Sequence, residues 1–295
     1  MIAKEKKDIE NNETKEVIKK VFNYYRKEYS KLTDDWRSLP YDALSSIREK
    51  ERIRLLEKDI KTKLKGKKVL NVGSGIGSFD IEMQRYGADM HGVEPDPLEY
   101  EIAVERINNK NLKQNIEKAV GEGLPYPDST FDVVTSFQVM EHVRDPGKVI
   151  KEMVRVTKKN GIIYINMPNH NSFWEGHYGC FWLPHFPKPL AKLYVRYIRG
   201  KDPDFLDTIN YLSPGKVRRQ MKKHKVLDKV KILGWGSELF EERLEKLNFT
   251  AWGHTGKLKN IVKIVKKLGM IGLLKWINRN VYGFYYPMIL IMRKR

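Results

Sequence analysis

The feature that most restricts the fold of this chain is an apolar run that leads directly into three glycines. Residues Val69–Val72 are followed by Gly73, Gly75 and Gly77, each separated from the next by one residue. Glycine is favoured where the backbone turns sharply, and where it must approach a ligand without a Cβ atom in between. The segment therefore predicts a buried strand, a tight ligand-binding turn and the start of a helix.

Further short apolar runs follow at the spacing of an α/β protein. The strand candidates are Lys68–Val72, Ala88–Val93, Ile116–Val120, Phe131–Phe137 and Gly161–Asn166. Helical patterns separate them, and strands that alternate with helices form a parallel sheet covered on both faces. Two more strand candidates, Val230–Leu233 and Tyr286–Met292, lie later in the chain.

Shifts in composition divide the chain into four segments. Residues 1–65 form an N-terminal helical extension, 66–168 the α/β core, 169–229 an insertion rich in aromatic residues, and 230–295 the part that completes the sheet. In the first segment, Pro40 separates an amphipathic helix from a second one that runs from about Tyr41 to Leu64. In the last, we expect a helix near Glu238–Leu247 and a basic amphipathic helix over Lys257–Arg279.

Cysteine content and hydropathy indicate a reducing compartment and no membrane-spanning segment. Cys180 is the single cysteine, so an internal disulfide is excluded. The first residues lack the apolar core of a signal peptide, and no run reaches the roughly 18 apolar residues that a transmembrane helix needs. We therefore expect a cytoplasmic protein.

Positive charge is concentrated in the last quarter of the chain. The net charge is +19, and residues 216–295 hold 20 lysines and arginines against 5 acidic residues. Such a segment is typical of binding to an anionic partner, which leaves anionic lipid, nucleic acid and phosphorylated substrates as alternatives. A well-solvated basic surface without a partner is the remaining interpretation.

A carboxylate stands where nucleoside-binding α/β folds hold a ribose. Glu94 follows Gly73 by 21 residues, at the end of the second strand candidate. There it can accept hydrogen bonds from both ribose hydroxyls of an adenosine ligand. The spacing alone fits a nicotinamide dinucleotide as well as S-adenosylmethionine. Ser78 replaces the third glycine of a dinucleotide fingerprint, which favours S-adenosylmethionine, a ligand without phosphate.

Four ordered motifs over about residues 66–168 resemble the class I methyltransferases, in particular their type 11 branch. The first is the glycine loop followed by Glu94. The others are Gly121–Asp128, Phe131–Ser136, and the segments Val139–Val143, Asp145–Pro146, Arg155–Val156 and Lys159–Gly161. The resemblance implies a Rossmann-like, seven-stranded, mostly parallel sheet with helices on both faces. The residue pattern of this chain adds N-terminal helices, and helical and aromatic insertions after strands five and six.

The same resemblance implies S-adenosylmethionine as the cofactor and a set of residues that bind it. These are Asn71, Gly73, Ser74, Gly75, Gly77, Glu94, Pro95, Gly121, Glu122, Phe137 and Gln138. Two positions depart from the family. Asn71 and Val120 stand where aspartate is usual, so their side chains offer no charged contact to the cofactor.

A possible metal motif follows the fourth strand. Gln138, Glu141 and His142 would share one helix face, and they resemble the Glu-x-x-Glu-His set with which methyltransferases of quinone precursors hold a divalent metal. Because Gln138 is a neutral and weaker ligand, we expect no metal here. The alternative is that Glu141 and His142 are structural residues at the start of a helix.

The acceptor site is expected directly after the fifth strand, where open α/β sheets bind ligands. Residues 168–179 contain two histidines, a carboxylate and three aromatic rings. Transfer to a hydroxyl is helped by a general base, and the predicted catalytic residues are His170, His177 and Glu175. The alternative is a folded lid in which the rings form core and the histidines stabilise turns.

The basic stretch Lys257–Arg279 completes the functional hypothesis. Leu258, Ile261 and Val265 follow helical spacing and Trp276 lies near the end, which is typical of a helix on an anionic membrane surface. A surface helix that covers the sheet is the alternative. We expect O-methylation of a small-molecule, glycan or lipid-linked acceptor at the inner membrane face. An RNA methyltransferase and a cofactor-binding subunit without turnover are the competing functions.

Overall fold

A seven-stranded sheet organises the computed structural model, which describes residues 2–236, 241, 263–277 and 285–295. Its strands are β1 (Lys68–Val72), β2 (Asp89–Val93), β3 (Ile116–Glu117), β4 (Phe131–Phe137), β5 (Thr157–Met167), β8 (Val230–Gly234) and β9 (Met288–Lys294). Their order is β3-β2-β1-β4-β5-β9-β8. A separate hairpin consists of β6 (Trp174–Glu175) and β7 (Cys180–Phe181).

Strands β1 to β5 run parallel, and β9 lies antiparallel between β5 and β8. In a parallel sheet the carboxyl ends of the strands meet at one edge, where ligands bind in open α/β folds. The glycine turn after β1, Glu94 after β2 and the segment after β4 therefore come together. The predicted Rossmann-like, mostly parallel sheet is confirmed.

Helices precede the sheet, cover it and extend into the insertion after β5. They are α1 (Ile2–Asn12), α2 (Lys15–Tyr29), α3 (Leu39–Leu44), α4 (Ser46–Ile60), α5 (Ser78–Tyr86), α6 (Pro97–Asn109), α7 (Pro146–Val156), α8 (Lys188–Leu193), α9 (Phe205–Thr208), α10 (Pro214–Lys223) and α11 (Ile271–Ile277). A π-helical turn, Tyr194–Ile198, continues α8 directly.

Alternate residues of the strands form separate cores on the two faces of the sheet. Leu70 of β1 belongs to a core that includes Val149 and Met153 of α7. Its neighbour Val69 belongs to the opposite core, which includes Leu56 of α4. This alternation follows from the period of two in a strand, and it explains why parallel strands covered on both sides read as continuous apolar runs.

A buried ion pair holds the N-terminal extension against the α/β core. The Arg106 guanidinium lies 2.6 Å from the Glu13 carboxylate, and both side chains are 2% exposed. Lys110 also contacts Glu13, at 2.8 Å, and Arg106 donates to the carbonyl of Ile76 in the glycine loop. Removing one partner of a buried pair leaves an uncompensated charge, so these contacts fix α1 and α2 beside the loop.

Several element boundaries differ from the sequence-based expectation. The helix expected over Tyr41–Leu64 is split at Ser45, whose hydroxyl accepts from the Arg48 N–H and caps α4. Pro40 lies inside the first turn of α3, where its missing N–H costs no hydrogen bond. The third strand has two residues instead of five because the chain turns away after Glu117.

The C-terminal expectations are only partly covered by the described residues. Apart from Glu241, the helix predicted near Glu238–Leu247 lies outside them, and so do Leu258 and Ile261 of the basic stretch. Within 263–277 the helical turn 263–267 and α11 are separated by a turn at Gly269, whose φ is +69°, so the basic stretch is not one continuous helix there. Among the described residues, no helix is long and apolar enough to cross a membrane.

Candidate functional site

A cavity of about 1000 Å³ opens at the carboxyl edge of the sheet. Its floor consists of Gly73, Gly75 and the end of β2, and segments after β3 and β4 form its sides. Helix α2 closes it from the N-terminal extension, and Phe205 of α9 reaches it from the insertion. This volume is at the upper end for small-molecule sites, so it has room for a cofactor and an acceptor group together.

The glycine turn lets the backbone after β1 approach the segment after β4. A Cβ atom on Gly73 would lie 2.2 Å from Cγ2 of Val139, and the φ of Gly73 is +84°. Gly75 also has a positive φ, of +53°, and faces the cavity. A side chain at Gly73 would therefore clash and strain the backbone at once.

Two of the predicted cofactor residues support the turn from below. The Asn71 amide donates to Asp80 at 3.0 Å, and the Ser74 hydroxyl donates to the other oxygen of that carboxyl at 3.0 Å. Burial raises the pKa of Asp80 to about 7. Asn71 and Ser74 do not line the cavity, and neither does Gly77, whose ideal Cβ position lies 3.0 Å from Ala103.

Glu94 is held in place by the backbone on both sides. Its Oε2 accepts from the Gly75 N–H at 2.7 Å, and its Oε1 accepts from the Asp96 N–H at 2.9 Å. Burial raises the pKa of Glu94, and the two N–H groups oppose that rise. The carboxylate lines the cavity at the end of β2, in the position predicted for the ribose contact.

The other predicted cofactor residues also line the cavity. They are Pro95, Gly121, Glu122, Phe137 and Gln138. The Glu122 carboxylate accepts from the Arg144 N–H at 2.9 Å, which joins the segments after β3 and β4. Gln138 has a φ of +55°, and its side chain donates to Asn166 at 2.6 Å.

Helix α2 supplies a wall that the sequence analysis did not assign to the site. Tyr24, Tyr25, Glu28 and Tyr29 line the cavity. The rings of Tyr25 and Tyr29 stack at a centroid distance of 5.2 Å. Their i, i+4 spacing was visible in the sequence, but only the packing of α2 against the core shows that this face covers the cavity rather than the sheet.

The cavity lining is acidic. Six carboxylates contribute to it, from Glu28, Glu94, Asp96, Glu99, Glu122 and Asp145, whereas Arg144 and Lys148 are the cationic residues. Burial and the neighbouring Glu94 raise the pKa of Glu99 to about 7. A surplus of carboxylates favours a cationic ligand and disfavours a phosphate-bearing one.

Four titratable residues cluster beside the cavity. Nδ1 of His177 lies 2.8 Å from the Glu175 carboxylate, and the ring of His177 meets that of His142 edge-on at 5.4 Å. His142 lines the cavity, and its Nε2 lies 3.8 Å from the Glu141 carboxylate. Glu141 is fully buried, and neither of its oxygens has a hydrogen-bond partner within the described part of the chain.

The charges of this cluster follow from burial and pairing. Burial would lower the pKa of His177, but the adjacent Glu175 carboxylate raises it, and the same contact lowers the pKa of Glu175. Burial and the charge of His177 lower the pKa of His142 to about 4. Burial raises the pKa of Glu141 to about 7. His142 is therefore neutral near pH 7 and has a nitrogen available to accept a proton.

His170 lies away from the cavity. Its Nδ1 accepts from the Leu212 N–H at 3.0 Å, and its ring stacks on Tyr211 at 4.5 Å. These contacts attach the start of the insertion to the segment before α10. Three catalytic residues were predicted. Two of them, His177 and Glu175, lie next to the cavity because the His177 ring contacts His142, which lines it. The third, His170, has no contact with the cavity lining through His142 among the described residues.

The prediction that Gln138, Glu141 and His142 share one face of a helix is wrong. Residues 138–145 form a turn, because the left-handed Gln138 redirects the chain and α7 begins only at Pro146. Instead, Glu141, His142 and His177 place one ligand atom each within 4.8 Å of one another. These three residues are the group near the cavity that could hold a metal ion.

We predict that Glu141→Gln stabilises the protein in a pH-dependent way. When the pKa of a carboxyl group is higher in the folded protein than in the unfolded chain, the group destabilises the folded state at every pH above the unfolded-state pKa. The reason is that the unfolded chain gains free energy by ionising the group, and the folded protein does not. The Tm of the variant should exceed that of the wild type at about pH 8, by about 2–4 °C for each kcal/mol recovered, and much less near pH 4. Exposed Glu101→Gln is the matched control. An equal difference at both pH values would contradict the assignment.

Comparison with known proteins identifies the central part of the chain. Residues 70–165 match the family model of a methyltransferase domain, the type 11 family. An uncharacterized methyltransferase of Mycobacterium sp. strain KMS is 35% identical over 115 residues, which are 39% of this chain and 42% of that protein. The ubiquinone biosynthesis O-methyltransferase of Azorhizobium caulinodans is 29% identical over 127 residues, 41% of this chain and 50% of that protein. The matched part thus spans half or less of these relatives.

Among solved structures, the [4+2]-cyclase SpnF is similar along nearly the whole chain. The TM-score is 0.50 at 15% sequence identity, over 97% of this chain and 96% of that one. At this identity the similarity concerns the fold alone. It extends beyond the family match to the N-terminal helices and to the segments after β5.

Proposed function

We propose that this chain transfers the methyl group of S-adenosylmethionine to a hydroxyl of a lipid-linked or glycan acceptor at a membrane face. The match of residues 70–165 to the family model of a methyltransferase domain supports the methyl transfer. The single observation that carries the proposal is the arrangement around the cavity: Glu94 beside the glycine turn at one end and neutral His142 at the other.

The residues present fit S-adenosylmethionine. Glu94 offers a carboxylate to the ribose hydroxyls, and Gly75 leaves the backbone open beside it. The acidic lining favours a ligand that carries a sulfonium and an ammonium group, and it disfavours the pyrophosphate of a dinucleotide. Bound there, the cofactor supplies a methyl group that leaves sulfur as the acceptor oxygen attacks in line.

We expect Glu94→Ala to weaken binding of S-adenosylmethionine by about 1.5–3 kcal/mol, the range for a hydrogen bond to a charged group. Isothermal titration calorimetry measures the change, with Glu94→Gln as a second variant that keeps the side-chain volume. Exposed Glu101→Ala, on the neighbouring helix α6, is the matched control and should bind as the wild type does. If both Glu94 variants bind S-adenosylmethionine with unchanged affinity, the Glu94 carboxylate does not contact the cofactor.

His142 is positioned to take the proton that the acceptor hydroxyl loses. A hydroxyl oxygen that accepts a methyl group becomes positively charged and strongly acidic, so it must lose its proton to a base. A base with a pKa of about 4 suffices at that stage, and it is neutral beforehand. The Glu175–His177 pair orients the neighbouring ring, so it acts through His142.

The lining next to His142 suits an acceptor with a ring. Tyr29 and Phe205 line the cavity, and the Phe205 ring lies 6.3 Å from that of His142; sugars and other cyclic acceptors stack on such side chains. The carboxylates disfavour a polyanion inside the cavity, which argues against RNA.

Exposed apolar and basic side chains support the proposal that the protein acts at a membrane surface. In segment 263–277, Ile264, Leu268 and Trp276 are exposed beside lysines. Apolar and basic side chains exposed side by side are typical of a segment that lies on an anionic membrane surface.

Replacing His142 should lower turnover without weakening cofactor binding. We expect His142→Asn to reduce kcat by about 10²–10⁴-fold, the usual contribution of a general base. The measurement is release of S-adenosylhomocysteine with a lipid-linked oligosaccharide extract as acceptor. Exposed His185→Asn is the control, whereas His170→Asn should lower Tm more than kcat.

The pH profile separates catalysis from a structural role. Because the His142 pKa is about 4, wild-type kcat should stay level from about pH 8 through the ordinary histidine pKa near 6.5, and should fall only as the pH approaches 4. A His142→Asn variant with wild-type kcat would exclude His142 as the base.

We expect turnover to survive chelation. The proposed proton transfer uses His142 and needs no metal, so EDTA should leave kcat unchanged. If chelation abolishes turnover and a divalent ion restores it, Glu141, His142 and His177 act as metal ligands and the proton step must be assigned again.

A further inference from the structure

The helix over residues 188–198 is apolar on both of its faces. Its inner face carries Ala191 and Val195, both fully buried. Its outer face carries Leu190 and Leu193, 54% and 53% exposed, and Tyr197 and Ile198, 74% and 73% exposed. Large apolar side chains exposed together on the outer face of a helix mark a contact with another protein or a membrane. This helix is covered on one side only.

The hairpin before this helix extends the same kind of surface. Phe181 and Leu183 are 56% and 49% exposed, and Phe181 stacks on the exposed Phe173 at 6.0 Å. The Tyr194 hydroxyl donates to the Phe181 carbonyl at 3.1 Å, which joins the hairpin to the helix. Exposed large apolar side chains therefore lie on both the hairpin segment and the helix joined to it, and such patches mark interaction sites.

Charge indicates what covers this patch. From 188 to 201 the sequence contains five lysines and arginines and no acidic residue. Lys192 and Lys201 are held by aspartates, whereas the exposed Arg196 has no carboxylate within 4.0 Å among the described residues. Leucine, isoleucine and tyrosine beside arginine are typical of an element that inserts its apolar side chains below lipid headgroups while its cations contact the phosphates.

We propose that the outer face of helix 188–198, together with Phe181 and Leu183, binds the surface of an anionic lipid bilayer. This contact does not involve segment 263–277. The lipid binding itself does not depend on the proposed function; only the idea that it brings a lipid-linked acceptor to the cavity rests on that function. Ala191 and Val195 belong to a core against which Phe205 packs, and Phe205 lines the cavity. The lipid-binding helix thus lies one layer of side chains from the acceptor end of the cavity.

A fluorophore on the helix tests this contact directly. The native Cys180 is buried, so a cysteine introduced at an exposed position can be labelled selectively with an environment-sensitive nitrobenzoxadiazole dye. We compare the full chain carrying Leu193→Cys with the matched control Ile47→Cys, which is exposed on α4. The vesicles are phosphatidylcholine alone, or equal parts of phosphatidylcholine and phosphatidylglycerol.

The dye at position 193 should shift to shorter wavelength and gain intensity with the anionic vesicles only, and the dye at position 47 should not change. Leu190→Asn/Leu193→Asn should weaken co-sedimentation with these vesicles by about tenfold or more, because two apolar side chains no longer insert. The proposal would be overturned if the dye at position 193 shows no spectral shift with anionic vesicles. It would also be overturned if the shift appears without lipid as the protein concentration rises, because a second copy of the chain would then cover the patch.

The outcome is independent of the methyltransferase proposal. Calorimetry with S-adenosylmethionine on the same unlabelled variant reports on the cofactor site alone. Vesicle binding weakened by about tenfold or more, with intact cofactor binding, is the result that we expect from the double asparagine variant. Wild-type protein that binds vesicles but not S-adenosylmethionine would refute the enzyme assignment and leave the lipid contact in place.

Discussion

The close approach of the backbone after β1 to the segment after β4 is the contact on which the site depends. With a Cβ on Gly73 only 2.2 Å from Val139, any other residue would force the two strand ends apart. That separation would move Glu94, which is anchored on the N–H of Gly75, away from His142, which follows Val139 in the same turn. The absence of a side chain at Gly73 therefore sets the distance between Glu94 at one end of the cavity and His142 at the other.

The site is assembled from three parts of the chain that have different physical roles. The α/β core supplies the glycine turn and Glu94. The N-terminal extension, held by the Glu13–Arg106 pair, closes the cavity with a wall of tyrosines. The insertion after β5 supplies His177 and Phe205, and it presents an apolar helix outwards. The core thus carries the features shared with the family, and the two additions complete the walls of the cavity.

The sequence predicted the core well because local patterns determine it. Strands β1 and β4 have the predicted bounds, and Glu94 lies where its spacing placed it. Asn71 and Ser74 were assigned to the cofactor, but their bonds to Asp80 depend on how α5 packs under the turn. The contact of His142 with His177, and the tyrosine wall of α2, join residues far apart in sequence. No periodicity in a single chain encodes such contacts.

The central claim is methyl transfer to a lipid-linked or glycan acceptor, and following the methyl group itself tests it most directly. The chain is incubated with S-adenosylmethionine that carries a labelled methyl group, together with vesicles of a bacterial lipid extract and total RNA. We predict that the label partitions into the lipid fraction as an ether, with one S-adenosylhomocysteine released for each methyl group transferred. Label in the RNA, or cofactor that binds without any release of S-adenosylhomocysteine, would contradict it.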